Sequence, residues 1–320
     1  VTGGAVAVAL ELKESNSVGK NITIGGATGK ANSFTGQTVL AISTGPYSYS
    51  GVTYQWTPDV NASGNWLGTA DIAGVAAAVS ANVDYTPWLA SGTDGSTDPG
   101  FQGDFSTLWV DDDSPQTGTT GRIREGINLV SGSTVNVAAG TYVEDPVIDK
   151  AVTLLGPNAG INPNTGTRVA EAIILPAYSA ADPDEPCELM TYITASGVTI
   201  KGFTFDGDNP ALTSGIMIGT ADVDACEIIA SYEGVGNIVV ENNILKHATY
   251  SGMDFYNYVN DAATAGNYIR NNLLQNIGET TYNWGIGILL YNNFYADVTG
   301  NVLENVRTGI QTGNYYRANT

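Results

Sequence analysis

The sequence predicts an all-β chain wound as a solenoid of short strands. Three observations carry that expectation. A six-residue pattern recurs: Asn242-Asn243-Ile244-Leu245-Lys246-His247, then Asn271-Asn272-Leu273-Leu274-Gln275-Asn276, then Gly300-Asn301-Val302-Leu303-Glu304-Asn305, with Asn243, Asn272 and Asn301 spaced 29 residues apart. Each copy lies between a short β-rich run and a glycine-led apolar alternation. The chain of 320 residues holds 39 glycines, and its Val, Ile, Leu and aromatic residues fall in short blocks throughout.

The preceding runs are Val198-Thr199-Ile200, Ile238-Val239-Val240, Tyr268-Ile269 and Asp297-Val298-Thr299. The glycine-led strands expected to follow are Gly215-Ile216-Met217-Ile218, Gly252-Met253-Asp254-Phe255, Gly287-Ile288-Leu289-Leu290 and Gly309-Ile310-Gln311-Thr312. Alternation puts Ile216 with Ile218, Met253 with Phe255, and Ile288 with Leu290 on one face, while Asp254 and Gln311 point the other way. An earlier copy, Gly202-Phe203-Thr204-Phe205-Asp206-Gly207, precedes Asn242 by 40 residues and lacks the asparagine. No such unit can bury its apolar face alone. Stacking the units buries one continuous core and pairs each strand with the next, about 4.8 Å away. Asn243, Asn272 and Asn301 then form a ladder whose amides bond one another and the turn backbone. The plainer reading is that asparagine is simply common in turns.

Charge narrows the partners. Lys plus Arg number 12 against 32 Asp plus Glu, for a formal net charge of −20. Such a surface repels nucleic acid and anionic lipid, so no nucleic-acid partner is expected. No apolar run reaches the roughly 18 residues of a membrane helix, so no membrane insertion is expected. The composition suits a secreted or cell-surface protein and favours divalent cations. The chain starts at Val1 with no visible signal peptide and stops inside the repeating pattern, so it is expected to be part of a longer array.

The segment Gly132-Ser133-Thr134-Val135-Asn136-Val137-Ala138-Ala139-Gly140-Thr141-Tyr142-Val143-Glu144, continuing through Ile148-Asp149-Lys150-Ala151-Val152-Thr153-Leu154-Leu155-Gly156, resembles the opening turns of many large bacterial surface proteins. With the repeats after it, the chain is similar to the right-handed parallel β-helix proteins of the pectin-lyase-like superfamily. The resemblance implies a right-handed parallel β-helix solenoid with a short plug helix, placed here at residues 121–130. Ile123, Ile127 and Val130 share one face of that helix. It also makes Val60 to Thr69 and the run Val83-Asp84-Tyr85-Thr86-Pro87-Trp88-Leu89 similar to a terminal rung and its closure, with Trp66 and Trp88 covering it. The expected organisation is therefore residues 1–89 as the end of one β-helix, 90–106 as a Gly/Ser/Asp/Thr linker, and 107–320 as the start and body of a second, C-terminally incomplete.

Two cysteines occupy near-equivalent places. Pro186-Cys187-Glu188-Leu189-Met190 parallels Ala225-Cys226-Glu227-Ile228-Ile229, and the next β-rich runs begin at Val198 and Ile238, 11 and 12 residues further on. On neighbouring rungs their Cα atoms would lie about 5 Å apart, within the disulfide range of roughly 4.4–6.8 Å. A Cys187–Cys226 disulfide and an oxidising compartment are expected; two reduced, buried thiols are the alternative.

Aromatic residues gather late in the chain among asparagines. Tyr256, Tyr258, Trp284, Tyr291, Tyr295 and Tyr315 are the candidates for contacting a glycan by stacking. Tyr256 and Tyr291 follow their glycine strands at the same offset, so a purely structural ladder is an equal reading. For calcium, the candidate ligands are Asp182 and Asp184 in one loop and Asp206 and Asp208 in another; solvated acidic turns are the alternative.

No catalytic residue is assigned. The superfamily's hydrolases use clustered aspartates with a Gly-His-Gly and an Arg-x-Lys segment, but His247, the single histidine, sits in Lys246-His247-Ala248 and no Arg-x-Lys exists. Arg270 and Arg307 lack an accompanying carboxylate triplet. Whether the chain is an enzyme stays open. The reading favoured is an extracellular structural or adhesive module with a weak glycan-contacting face. A polysaccharide lyase or glycoside hydrolase is the first alternative. A subunit joining copies of itself end to end into a filament or matrix is the second.

Overall fold

The computed structural model describes residues 2, 4–10, 22–183, 187, 189–258, 264–278 and 283–314. It is an all-β protein with several parallel sheets. Two compact units divide it, Val1–Ala138 and Ala139–Thr320. No helix among the described residues is long and apolar enough to cross a membrane.

The second unit is built on three parallel sheets that the chain visits in turn. The first holds Thr153–Leu155, Thr199–Lys201, Val239–Glu241, Asn267–Arg270 and Ala296–Thr299. The second holds Gly140–Val143, Ala172–Leu175, Thr204–Asp206, Ile244–Ala248, Leu273–Ile277 and Val302–Val306. The third holds Val147–Ile148, Leu189–Ile193, Glu227–Ser231, Ser251–Tyr256, Ile286–Tyr291 and Thr308–Gly313. One residue from each of three successive strands in every sheet forms a buried row. Ile200, Val240 and Ile269 line up in the first sheet. Phe205, Leu245 and Leu274 do so in the second, and Ile229, Met253 and Ile288 in the third. Each such side chain contributes about 1.5–3 kcal/mol through burial, which is what strands of two to six residues need to persist.

One strand differs from the sequence expectation. Met217–Ile218 forms an antiparallel hairpin with Ala221–Asp222, and the third-sheet strand at this level is Glu227–Ser231. Gly219 at φ 66° lets the chain reverse so soon after Ile218, so the Gly215–Ile218 alternation is spent on an excursion. The step between strands also varies by sheet. Val239 pairs with Tyr268 and then Asp297, and Ile244 with Leu273 and then Val302, both at 29-residue steps. In the third sheet Ser251 pairs with Ile286, 35 residues on, and Ile286 with Thr308, 22 residues on.

The asparagine ladder fills the turn between the first and second sheets. Asn272 Oδ1 accepts from Asn243 backbone N at 3.0 Å and from its Nδ2 at 3.2 Å. Asn301 Oδ1 accepts from Asn272 N and Nδ2, both at 2.9 Å. Each amide then donates across the turn, Asn243 to Ile200 O, Asn272 to Val240 O and Asn301 to Ile269 O. Phe203, where the earlier copy lacks asparagine, donates its N–H to Asn243 Oδ1. The ladder thus pairs donors and carbonyls that a buried turn would leave without partners.

In the first unit, Val6–Ala9 pairs with Leu40–Ser43, and Ile22–Thr23, Val60–Asn61 and Val83–Asp84 form a parallel trio. A two-member ladder recurs here: Asn65 Oδ1 accepts from Asn32 N at 2.8 Å, and Asn65 Nδ2 donates to Ile24 O. The sequence reading missed it, since only the 33-residue spacing signals it. Trp88–Leu89 runs antiparallel to Thr107–Val110, which runs parallel to Thr134–Val137. The expected helix is present as Arg122–Leu129, between Gly121 and Val130 as caps, with Ile123 and Ile127 buried. A Cβ on Gly126 would meet Val110 Cγ2 at 2.8 Å and Val135 Cγ1 at 2.9 Å, so the glycine lets the helix lie directly on those strands. Residues 90–106 fall inside this unit, and the division between units comes after Ala138.

Candidate functional site: an aromatic cleft with two buried carboxyl groups

Adjacent strands of the third sheet bring the site together. Asp254 pairs with Ala230 in the register of Glu227–Ser231 against Ser251–Tyr256. It alternates with Met253 and Phe255, which are buried in the core. Asp254 and Glu227 both line an open cleft of about 420 Å³. Its other walls include Tyr232, Tyr250, Tyr256, Tyr258 and Trp284.

The rings are ordered by contact with one another. Tyr256 stacks on Tyr258 at 4.9 Å and on Tyr291 at 5.2 Å, with planes 14° and 10° apart. Tyr232 meets both Tyr256 and Tyr258 edge-on. Tyr250 meets Trp284 edge-on at 5.2 Å. Tyr258 and Trp284 remain 53% and 39% exposed, so the cleft offers aromatic surface to solvent. Trp284 also lines a second cleft of about 490 Å³ with Asn283, Asn305 and Arg307.

The carboxyl groups lie beneath these rings. Glu227 is 5% exposed and Asp254 1%. Tyr232 donates its hydroxyl hydrogen to Glu227 Oε2 at 2.7 Å, while Asp254 Oδ1 has no hydrogen-bond partner. No Lys, Arg or His is among the described residues lining the cleft. Burial pushes the Glu227 carboxyl well above the usual range against the pull of the Tyr232 hydrogen bond. Burial and then the charge of Glu227 push Asp254 up as well. The phenols of Tyr232 and Tyr256 are raised by burial first and by the neighbouring acids next. Two uncompensated charges cannot share such a site cheaply, so protons stay.

Cys187 and Cys226 form a disulfide with Cα atoms 5.4 Å apart. It stands at the cleft edge, where Cys187 and Pro183 are part of the wall and Cys226 directly precedes Glu227.

Of the glycan candidates, Tyr256, Tyr258 and Trp284 line this cleft, and Tyr291 backs Tyr256 with its hydroxyl accepting from Gln311 Nε2 at 2.6 Å. Tyr295 is 60% exposed and does not line it. Tyr315 lies outside the described residues, as does Asp184. Asp206 is engaged by Lys246 Nζ and His247 Nδ1, each at 2.6 Å, and Asp208 donates its backbone N–H to Asp206 Oδ1. Asp182, Asp206 and Asp208 form no close carboxylate trio. Among the described residues that trio is Asp111, Asp112 and Asp113. Arg270 is held by Glu241, which also binds Lys201 Nζ at 2.6 Å, in the first sheet. In the sequence Glu227 stands beside its cysteine and Asp254 is an outward residue of its strand, and nothing there joins the two.

No protein-family model matches this chain, and comparison with curated proteins and with solved structures finds no similar one.

Proposed function

We propose that this chain is a stretch of right-handed parallel β-helix from a secreted or cell-surface structural or adhesive protein, and that the third-sheet cleft contacts saccharide. Helix Arg122–Leu129 is the plug in this reading. Three parallel sheets visited in turn, inward apolar rows and an asparagine ladder support the architecture. A disulfide and a net charge of −20 suit an extracellular setting.

The observation that carries the binding role is the cleft itself. Tyr258 and Trp284, 53% and 39% exposed, stand in a concave wall that also holds the recessed Glu227 and Asp254. Sugar rings stack their C–H faces on such surfaces while hydroxyls find hydrogen bonds. Calorimetric titration of soluble oligosaccharides into the chain tests it. Trp284→Ala and Tyr258→Ala should each weaken binding by about threefold to tenfold. No heat with any glycan, or full affinity in both variants, refutes it.

One observation favours a second reading, hydrolysis of a glycosidic bond. Two carboxyl groups face one cleft, the minimum equipment for acid-assisted attack by water. Appearance of new reducing ends from a bound oligosaccharide, abolished by Glu227→Gln, would select it.

A further inference from the structure

Among the described residues the cleft pairs two carboxyl groups with no cation, and that combination bears on what it accepts. The other titratable groups among the described residues of the cleft are phenols: Tyr232 following the Glu227 strand, Tyr250 before the Asp254 strand, Tyr256 at its end and Tyr258 beyond it. The disulfide at Cys187 brings no charge, and Trp284 brings an indole. Arg307 lines the second cleft, which shares Trp284 with this one. Elsewhere on this unit two half-buried carboxylates are met by cations: Glu241 by Lys201 and Arg270, and Asp206 by Lys246, with His247 hydrogen-bonded to it as well. Glu227 and Asp254 lie deeper, and among the described cleft residues no cation faces them.

We propose that the cleft selects uncharged saccharides, and that Glu227 and Asp254, holding at least one proton between them, donate a hydrogen bond to a sugar oxygen. The proposal rests on the saccharide reading of the cleft and narrows its ligand class. Asp254 lines the cleft, and its Oδ1 is buried without a hydrogen-bond partner, so a protonated Asp254 carboxyl has a hydrogen bond left to give a ligand oxygen. A neutral sugar offers many such acceptors. An acidic sugar brings a carboxylate into a pocket whose described walls hold no cation to receive it. Burial holds both acids protonated further up the pH scale than a surface pair. Raising the pH through that range removes the donor and places two like charges under the rings, so affinity for a neutral sugar falls.

The test is titration of the whole chain with length-matched neutral hexasaccharides (malto-, cello- and mannohexaose) and with hexagalacturonate, in acidic and in alkaline buffer. The expected result is binding of a neutral hexamer at least about tenfold tighter than of the uronate, declining as the buffer becomes alkaline. Asp254→Asn, whose amide donates at any pH, should flatten that decline. Equal or tighter binding of the uronate, or a pH profile unchanged in Asp254→Asn, overturns the selectivity while leaving a saccharide cleft. Failure of every hexamer to bind overturns both. Infrared difference spectra supply a readout that needs no ligand: a protonated carboxyl band at neutral pH, lost in Asp254→Asn, is expected. Its absence overturns the shared proton.

Discussion

His247 Nδ1 lies 2.6 Å from Asp206 Oδ1, at a corner where the backbone turns left-handed at His247 and again at Asn276 and Asn305, one 29-residue step apart each time. Asn305 Nδ2 donates to Asn276 Oδ1 at 2.7 Å, which leaves the Asn276 amide to donate to His247 Nε2. The network therefore assigns the imidazole hydrogen to Nδ1, donated to Asp206. The lone histidine is a member of a second polar ladder.

Asp206 should stabilise the fold in a pH-dependent way. Burial raises its carboxyl, but the hydrogen bonds of His247 and Lys246 and the charge of Lys246 outweigh that and hold it below the ordinary range. Its contribution is then present above the unfolded pKa, near 4, and is lost as pH falls through the lower folded value. Asp206→Asn should cost about 1–3 kcal/mol in urea unfolding at neutral pH. The gap to the parent should close in acid. A gap that stays constant would show the pairing to be inert.

Asn272 has its side chain bonded both up and down its ladder, so its loss cannot be local. Asn272→Ala would leave Asn243 N, Asn243 Nδ2 and Val240 O without their present partners. Buried groups left unpaired cost about 1–3 kcal/mol each, and water entry recovers part of that. A loss of roughly 2–5 kcal/mol is expected by urea denaturation. Asn301→Ala, with Asn301 half-buried beside the last paired strands, should cost less.

The cleft acids should oppose stability. Asp254 and Glu227 have raised folded pKa values, so the folded state binds more protons than the unfolded chain as pH climbs above about 4. Stability declines across that climb until the folded groups ionise too. Asp254→Asn should therefore raise the melting temperature at neutral pH, by an amount equivalent to about 1–2 kcal/mol. The advantage should vanish in buffer acidic enough to protonate both states. A variant less stable than the parent at neutral pH would contradict the sign.

Cys187 and Cys226 close a loop across 39 residues of sequence. Replacing both with serine, or adding reductant, should lower stability by about 2–4 kcal/mol in a thermal melt. The same change should weaken ligand binding, because Cys187 is part of the cleft wall. A reductant-insensitive melt would remove the bond from the account.

What was legible in the sequence followed the 29-residue period. Asn243, Asn272 and Asn301 are visible because the two sheets flanking their turn advance in step. The pairing of Tyr256 with Tyr291 was visible from its constant offset behind a glycine strand. The cleft was not. Glu227 and Asp254 belong to strands reached through connections of unlike length, and the hairpin Met217–Ile218 with Ala221–Asp222 imitates a strand that the sheet does not use. Nothing local marks either acid: each becomes distinctive only through burial and through rings contributed from several turns. Asn32 and Asn65 escaped notice because their spacing occurs once and has no third copy to confirm a period.

The unequal steps of the third sheet have an evolutionary corollary. Where a strand must return to the same height but the chain between may be 22 or 35 residues long, segments can be inserted or trimmed without disturbing the two ladders, which hold to a constant interval. Loop closure penalises such length changes only weakly. New binding surfaces should therefore accumulate along that one flank of the molecule, over a frame that stays constant beneath them.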